Sequence, residues 1–173
     1  MTEIRLRAPE PHDIDVMMEI ENDMFLWEHS SVNTGPYTRF QLKRYIEENV
    51  NNIYEDHQQR FMIETAEGEV AGMVDLFEFD ARNNRAEVGI AVLPHFRRSG
   101  VAASAISSLE EHCFGFLGMK QLYSYVRTDN EEACSLFMKC GFRETGILKS
   151  WIRCGNVYYD VAVYQKMSDR FSS

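Results

Sequence analysis

The stretch RAEVGIAVLPHFRRSGVA, residues 85–102, decides how the rest of this chain is read. Ala86 to Val92 is an apolar, strand-like run interrupted by Gly89. Leu93 to Phe96 is a turn marked by Pro94. Arg97 to Ala102 is a small, basic, glycine-containing loop, and an alanine- and serine-rich helical pattern begins at Ala102. A strand, a short loop with glycine and then a helix can build an anion site. The first backbone N–H groups of a helix have no internal partner, and the macrodipole adds partial positive charge there. A phosphate at that terminus satisfies both. An ordinary strand–loop–helix connection has the same pattern, and an isolated glycine loop does not separate the two.

The chain has 173 residues, which fits one domain, residues 1–173. Hydrophobic residues make up 45%, enough for a core and against disorder. No apolar run is long enough to span a bilayer, so no membrane partner is expected. The N-terminus, Met1-Thr2-Glu3-Ile4-Arg5, lacks the apolar core of a signal peptide, and a cytoplasmic location is the default. Cys113, Cys134, Cys140 and Cys154 show no CxxC spacing. They read as reduced thiols, mostly buried, with neither a metal site nor a disulfide framework. The formal charge is −9 and unevenly spread: residues 1–90 carry −11 and residues 91–173 carry +2. An acidic half suits a cationic partner and a basic loop suits an anion, although acidic residues also simply solvate a surface. No broad basic stripe supports nucleic-acid binding.

Outward from the loop, the pattern gives strands and helices in the order β-α-α-β-β-β-α-β-α-β-β, a mixed α/β domain around one sheet. Residues 4–7 form a short first strand. Asp13 caps a helix whose apolar stripe runs to Met24, and Met24, Phe25 and Trp27 fill the core or line a pocket. Thr38 caps a second helix to about Val50, and Glu55 and Asp56 fall in the connection after it. Residues 60–65, 70–79 and 85–92 are strands, the first two joined by a hairpin turn at Gly68. A third helix covers 99–117, a strand 121–126, and a helix opened by Asn130 runs to Lys139. Residues 142–153 and 158–166 are the last strands. There is no internal repeat or interdomain linker.

Three features then stand in fixed order. Arg97-x-x-Gly100-x-Ala102 follows a strand and opens a helix, Asn130 follows the next strand, and the helix after it ends in Cys140-Gly141-Phe142. This arrangement resembles the GNAT superfamily of acetyl-CoA-dependent N-acetyltransferases, over nearly the whole chain. The resemblance implies the GNAT fold: a central, mostly antiparallel sheet splayed between strands 4 and 5. It implies a coenzyme A site formed by Ala91, Val92, Leu93, Arg97, Arg98, Ser99, Gly100, Val101, Ala102, Ala103, Asn130 and Phe137. The loop amides would take the diphosphate, and exposed backbone near Ala91 and Val92 would take the pantetheine arm. Gly89 marks either a bulge that causes the splay or a packing gap. Asn130 contacts the cofactor, caps its helix, or does both.

Within the superfamily, the segments MFLWE (24–28), RFMIE (60–64), GMVDLFE (72–78) and RAE (85–87) look like bacterial spermidine (diamine) N-acetyltransferases. That likeness places Met24, Glu28, Glu55 and Asp75 at substrate-binding positions, with spermidine or a similar polyamine as the amine acceptor. It also implies self-association. Glu87 resembles the family's base, with a structural ion pair to Arg85 or a neighbour as the alternative. The family's proton donor is a tyrosine four residues before Gly-Phe, but this chain has Phe137, whose phenyl ring has no proton to give. Cys134 and Tyr125 are the neighbouring candidates. The competing functions are N-terminal acetylation of ribosomal-type proteins and a non-catalytic acyl-CoA- or polyamine-binding module.

Overall fold

The computed structural model describes residues 2–29 and 35–169. Seven strands form one sheet in the order β1-β2-β3-β4-β5-β7-β6. They are β1 (Ile4–Arg7), β2 (Gln59–Thr65), β3 (Val70–Asp80), β4 (Arg85–Val92), β5 (Gln121–Arg127), β6 (Arg143–Cys154) and β7 (Val157–Met167). Every neighbouring pair is antiparallel except β4 and β5. That pair is joined by a crossover through helix α5 (Val101–Glu110), which continues into a π-helical turn over Glu111–Phe116.

The sheet separates two apolar layers, as the period-2 alternation of its strands requires. On one face Val74, Leu76, Ala86, Val88, Leu122, Ala162 and Tyr164 pack on α5 and on α6 (Glu131–Lys139). On the other, Met62 and Met73 pack beneath α1 (Ile14–Glu21) and α3 (Arg39–Glu48), through Met17, Ile20 and Leu42. Thr38 and Gln41 cap α3 reciprocally. Asn130 Oδ1 accepts from the Ala133 N–H at 3.1 Å, a cap of the kind that contributes about 1 kcal/mol.

Several local expectations change. The first helix does not run through to Met24. Asn22 exchanges hydrogen bonds with the backbone of Tyr37, and Asp23 Oδ1 accepts from the Phe25 N–H, so the chain turns and starts a separate helix, α2 (Met24–His29). Asp13 does not cap α1 with its side chain. Its buried carboxylate accepts two bonds from Arg7, at 2.7 and 2.8 Å, and fastens β1 to the start of α1. Glu55 and Asp56 lie in a helical turn, α4 (Ile53–Asp56), capped by Asn52.

The strand pair β4–β5 is in register only at Arg85↔Gln121, Ala86↔Leu122 and Glu87↔Tyr123. One more link follows, from Ser124 Oγ to the Val88 carbonyl at 2.9 Å. Beyond it β4 keeps pairing with β3 as far as Val92, and β5 with β7 as far as Arg127. The two strands therefore diverge into a V. Gly89 is not the bulge that opens it, because Asp75↔Gly89 lies in unbroken register. A Cβ there would stand 2.6 Å from the Phe77 ring, so the glycine makes room for that ring. The bulge is on β3, where Phe77↔Glu87 is followed by Asp80↔Arg85 and Glu78 adopts φ +46°.

Gly72 shows how closely β3 and β4 approach: a Cβ there would lie 2.2 Å from the Ala91 carbonyl oxygen. Backbone cannot yield cheaply, so Gly72→Ala is expected to lower unfolding free energy by about 1–3 kcal/mol in urea titration. Gly146→Ala, with open space around it, serves as the control. A neutral Gly72→Ala would contradict the β3–β4 register.

Candidate active site

The loop after β4 begins at Leu93, buried, with its N–H bonded to the Ala71 carbonyl at 2.9 Å. A short turn over Pro94–Phe96 leads to Arg97. Arg98 has φ +60° and Gly100 φ +88°, so the loop coils tightly and turns the chain into α5. Ser99 Oγ bonds the Phe96 carbonyl, and the Ser99 carbonyl accepts from Thr2 Oγ1 at 2.6 Å. Gly100 is the N-cap of α5 and supplies no capping side chain. The leading amides of Val101, Ala102 and Ala103 are thus available to an anion, with small residues on the approach. A diphosphate fits this terminus. The Arg98 side chain is 88% exposed, 3.5 Å from Glu132 on α6, and free to swing to such an anion.

The cleft edge of β4 follows from its hydrogen bonding. The Leu93 N–H and the Ala91 carbonyl both point toward β3. Backbone groups alternate sides along a strand, so those of Val88, Ile90 and Val92 face β5 and the open V. This corrects the expectation for Ala91, whose peptide groups are turned away, and brings in Ile90. The Val92 carbonyl already accepts from Arg97 Nε at 3.0 Å. The side chains of Ala91 and Leu93 line a cavity of about 280 Å³ beneath α1 and α2, with Ile20, Asp23, Leu26 and Arg97.

Phe137 is 3% exposed and belongs to the core, edge-on to Phe142 and stacked on Tyr164. Cys134, one turn earlier, points its thiol at the Arg127 carbonyl, 3.6 Å away. Tyr164 lies against Cys134, and burial drives its phenol well above the ordinary range. Tyr125 lies on the opposite face, edge-on to Tyr123.

At the closed end of the V, Phe77, Glu87 and Tyr123 stand opposite one another on three adjacent strands and so share the face away from α5. No cation pairs with Glu87 among the described residues. Arg85 instead contacts Asp80 at 3.3 Å, which goes against the alternative of a structural Arg85–Glu87 pair. Burial pushes the Glu87 carboxyl up to about 7, and the negative charge of Glu78 adds to the shift. Tyr123 is pushed up to about 12 by burial and by Glu87. Beside this group opens a groove of about 640 Å³, lined by Asp56, His57, Phe77, Glu78, Asp80 and Tyr123 among others. The bulge at Glu78 is what aims a second carboxylate here, and a glutamate at positive φ leaves no signature in sequence.

The four expected substrate residues do not converge. Glu55 is exposed on α4, next to the groove residue Asp56, and holds Asn52 Nδ2 at 2.8 Å. Met24 and Glu28 are exposed on α2, at the open end of the V, where the Glu28 carbonyl accepts from Arg127. Asp75 departs from its expected role. It is buried, and Arg60 occupies both of its oxygens at 2.7 and 2.9 Å while also bonding Glu21. A carboxylate so engaged is an internal ion-pair partner.

The acetyltransferase (GNAT) domain family matches residues 3–143 of this chain. Spermidine N(1)-acetyltransferase of Vibrio cholerae is 28% identical, over 92% of this chain and 90% of its own length. The Escherichia coli enzyme of the same name is 28% identical over 84% of this chain and 75% of its own. The solved structure of the Vibrio cholerae enzyme with CoA and spermine superposes with a TM-score of 0.85 at 24% identity, covering 95% of both chains.

Glu87 makes a stability prediction. Its folded value of about 7 lies above the ordinary 4.5, so folding favours the protonated form. That contribution is complete below about pH 4.5 and is lost as pH rises through about 7. Glu87→Gln removes the titration. Its urea midpoint is expected to gain on the parent between pH 4.5 and 7 and to keep a constant lead above that. Parallel pH curves would contradict the buried, unpaired state of Glu87.

Proposed function

Because the chain belongs to the GNAT acetyltransferase family, we propose that it moves an acetyl group from acetyl-CoA to a primary amine of a polyamine. The observation that carries this reading is Glu87: a carboxylate with no cationic partner among the described residues, at the apex of the V and beside an acidic groove. Acetyl-CoA supplies an activated thioester. Everything else falls to the chain. The amides of residues 98–103 and the Arg98 side chain hold the diphosphate. The cleft-facing groups of Ile90 and Val92 orient the pantetheine arm, with the Asn130 amide nearby. Asn130 already uses its oxygen as a cap, which leaves its NH2 for the ligand.

The amine must lose a proton to attack, and Glu87 takes it, directly or through one water. An alkyl ammonium titrates near 10.4, so transfer to an ordinary carboxylate is uphill by about 8 kcal/mol and to one at about 7 by roughly 5. The raised value of Glu87 therefore assists the proton transfer while leaving the group ionised above neutral pH. Asp56 and Glu78, with Glu55 next to them, suit the remaining positive charges of the acceptor, whereas Asp80 in the same groove is held by Arg85 and Asn83. The spermidine-acetylating relatives support the same acceptor class. Phe137 gives no proton. A thiolate is a good enough leaving group for turnover to rest on Glu87 and on orientation.

A thiol-release assay with acetyl-CoA and a panel of spermidine, spermine, amino acids and peptides tests this. Polyamines are expected to turn over, with kcat/KM rising through an apparent pKa near 7. Glu87→Gln is expected to lose about 10²–10⁴-fold and the pH limb with it. Turnover of peptides alone would overturn the acceptor, and acetyl-CoA binding without thiol release would overturn the enzyme. Separately, Gly100→Leu is expected to weaken CoA binding tenfold or more by calorimetry, because φ +88° and the nearby Thr2 hydroxyl exclude a side chain.

A further inference from the structure

The Val92 carbonyl faces the open V, on the edge of β4 that β5 has left, yet it is already taken. Arg97 Nε donates to it at 3.0 Å. A carbonyl at such an edge needs a donor, and here the chain supplies one from its own loop. The rest of the Arg97 guanidinium reaches the other way, to the start of α2. Nη2 lies 3.8 Å from Asp23, and the guanidinium carbon lies 5.5 Å from the centre of the Phe25 ring. Arg97 also lines the cavity of about 280 Å³ between β4 and the helices, with Asp23, Leu26 and Ala91. One side chain therefore touches both the cleft edge of β4 and helix α2.

This grip is light. The Arg97 side chain is 34% exposed and that of Asp23 33%. An ion pair so long and so open to water contributes little. None of the residues of α2 is buried, so packing alone holds the helix weakly. Its start depends on Asp23, whose Oδ1 accepts from the Phe25 N–H at 2.9 Å and whose carbonyl accepts from Leu26 and Trp27. Its far end is held separately, by Arg127 on β5. Asp129 and the Tyr159 ring, 3.5 Å away, fix that guanidinium, which donates to the Glu28 carbonyl at 2.6 Å. Helix α2 is thus a strap across the mouth of the V, tied firmly at β5 and loosely at β4.

We propose that Arg97 is a displaceable plug: it and coenzyme A compete for the Val92 carbonyl, so that cofactor entry releases the β4 end of α2. The plug presupposes the coenzyme A cleft described above. A ligand shifts such an equilibrium only through a difference in affinity for the two states. Coenzyme A has two sources of difference. Its arm carries amide donors for the carbonyl, and its diphosphate offers the displaced guanidinium a counter-charge near the start of α5. Pantetheine has the arm alone and meets the plug without that compensation. By reciprocity, whatever loosens α2 from Arg97 eases entry to the cleft.

The test compares CoA and pantetheine on the full chain, as the parent, Arg97→Met and Asp23→Asn. Pantetheine is expected to bind Arg97→Met about fivefold more tightly than the parent in NMR titrations, because no charged donor then competes for Val92. CoA is expected to gain less, because a charge near its diphosphate is lost as well. Asp23→Asn keeps the oxygen that caps α2 and removes the charge that holds Arg97, so it covers the case in which Arg97→Met folds poorly. It is expected to tighten both ligands about twofold. Saturating CoA is expected to quicken backbone hydrogen exchange at residues 25–27 of the parent by about threefold or more. In Arg97→Met that exchange is fast from the start, and CoA adds nothing. Pantetheine that binds neither variant more tightly would overturn the plug. Unchanged or slower exchange at 25–27 when CoA binds the parent would overturn the release of α2. CoA that binds the parent without protecting the Ile90 amide would overturn the cleft assignment itself, a failure read on β4 and not on α2.

Discussion

Everything at the candidate site depends on the point where β4 and β5 stop pairing. Three register pairs and the Ser124–Val88 bond hold the strands together, and after that each keeps only its outer neighbour. Polar backbone groups at such an inner edge need partners. An extended ligand that can donate and accept along Ile90 and Val92 meets that need, and the loop ending at Gly100 places a helix terminus where such a ligand's anionic end would lie. The crossover helix α5 is what makes β5 parallel to β4, so both strands open toward the same end and a single short helix can span the mouth.

Charge is sorted by the same frame. Arg60 binds Asp75 and Glu21, Arg7 binds Asp13, and Arg85 contacts Asp80. Glu87 is left at the apex without a cation among the described residues, within reach of the charge of Glu78. Burial raises the affinity of Glu87 for a proton, and the nearby negative charge of Glu78 adds to it, with no cation among the described residues to offset either. A net charge of −11 over residues 1–90 says less than this distribution, because several of those acids neutralise arginines, two of them half-buried.

Much of this was legible in the sequence. Strand runs with period-2 alternation, the Arg-x-x-Gly-x-Ala loop before a helix, and Asn130 as a cap each have a local cause that residue types reveal. What escaped was set by tertiary contacts. Asp75 looks like a substrate carboxylate until its neighbour across the sheet, Arg60, is known. Gly89 reads as a bulge by type, but its reason is the ring of Phe77 on the neighbouring strand β3, and the real bulge sits on a glutamate. The cleft-facing choice of Ile90 and Val92 over Ala91 is a matter of register, and a one-residue slip would reverse it. Arg127 carries no motif at all, because its partners Glu28 and Tyr159 are distant in the chain.

The central claim is that the inner edge of β4 beyond Val88 is a binding surface for coenzyme A. Residue-resolved amide exchange by NMR, with and without CoA, tests it most directly. Val92 and Ile90 amides are expected to exchange fast in the free protein and at least tenfold more slowly with CoA, while the Ala91 amide, bonded toward β3, stays protected throughout. Uniform protection of all three before CoA is added, or no change at Ile90 and Val92 on saturation, would contradict it.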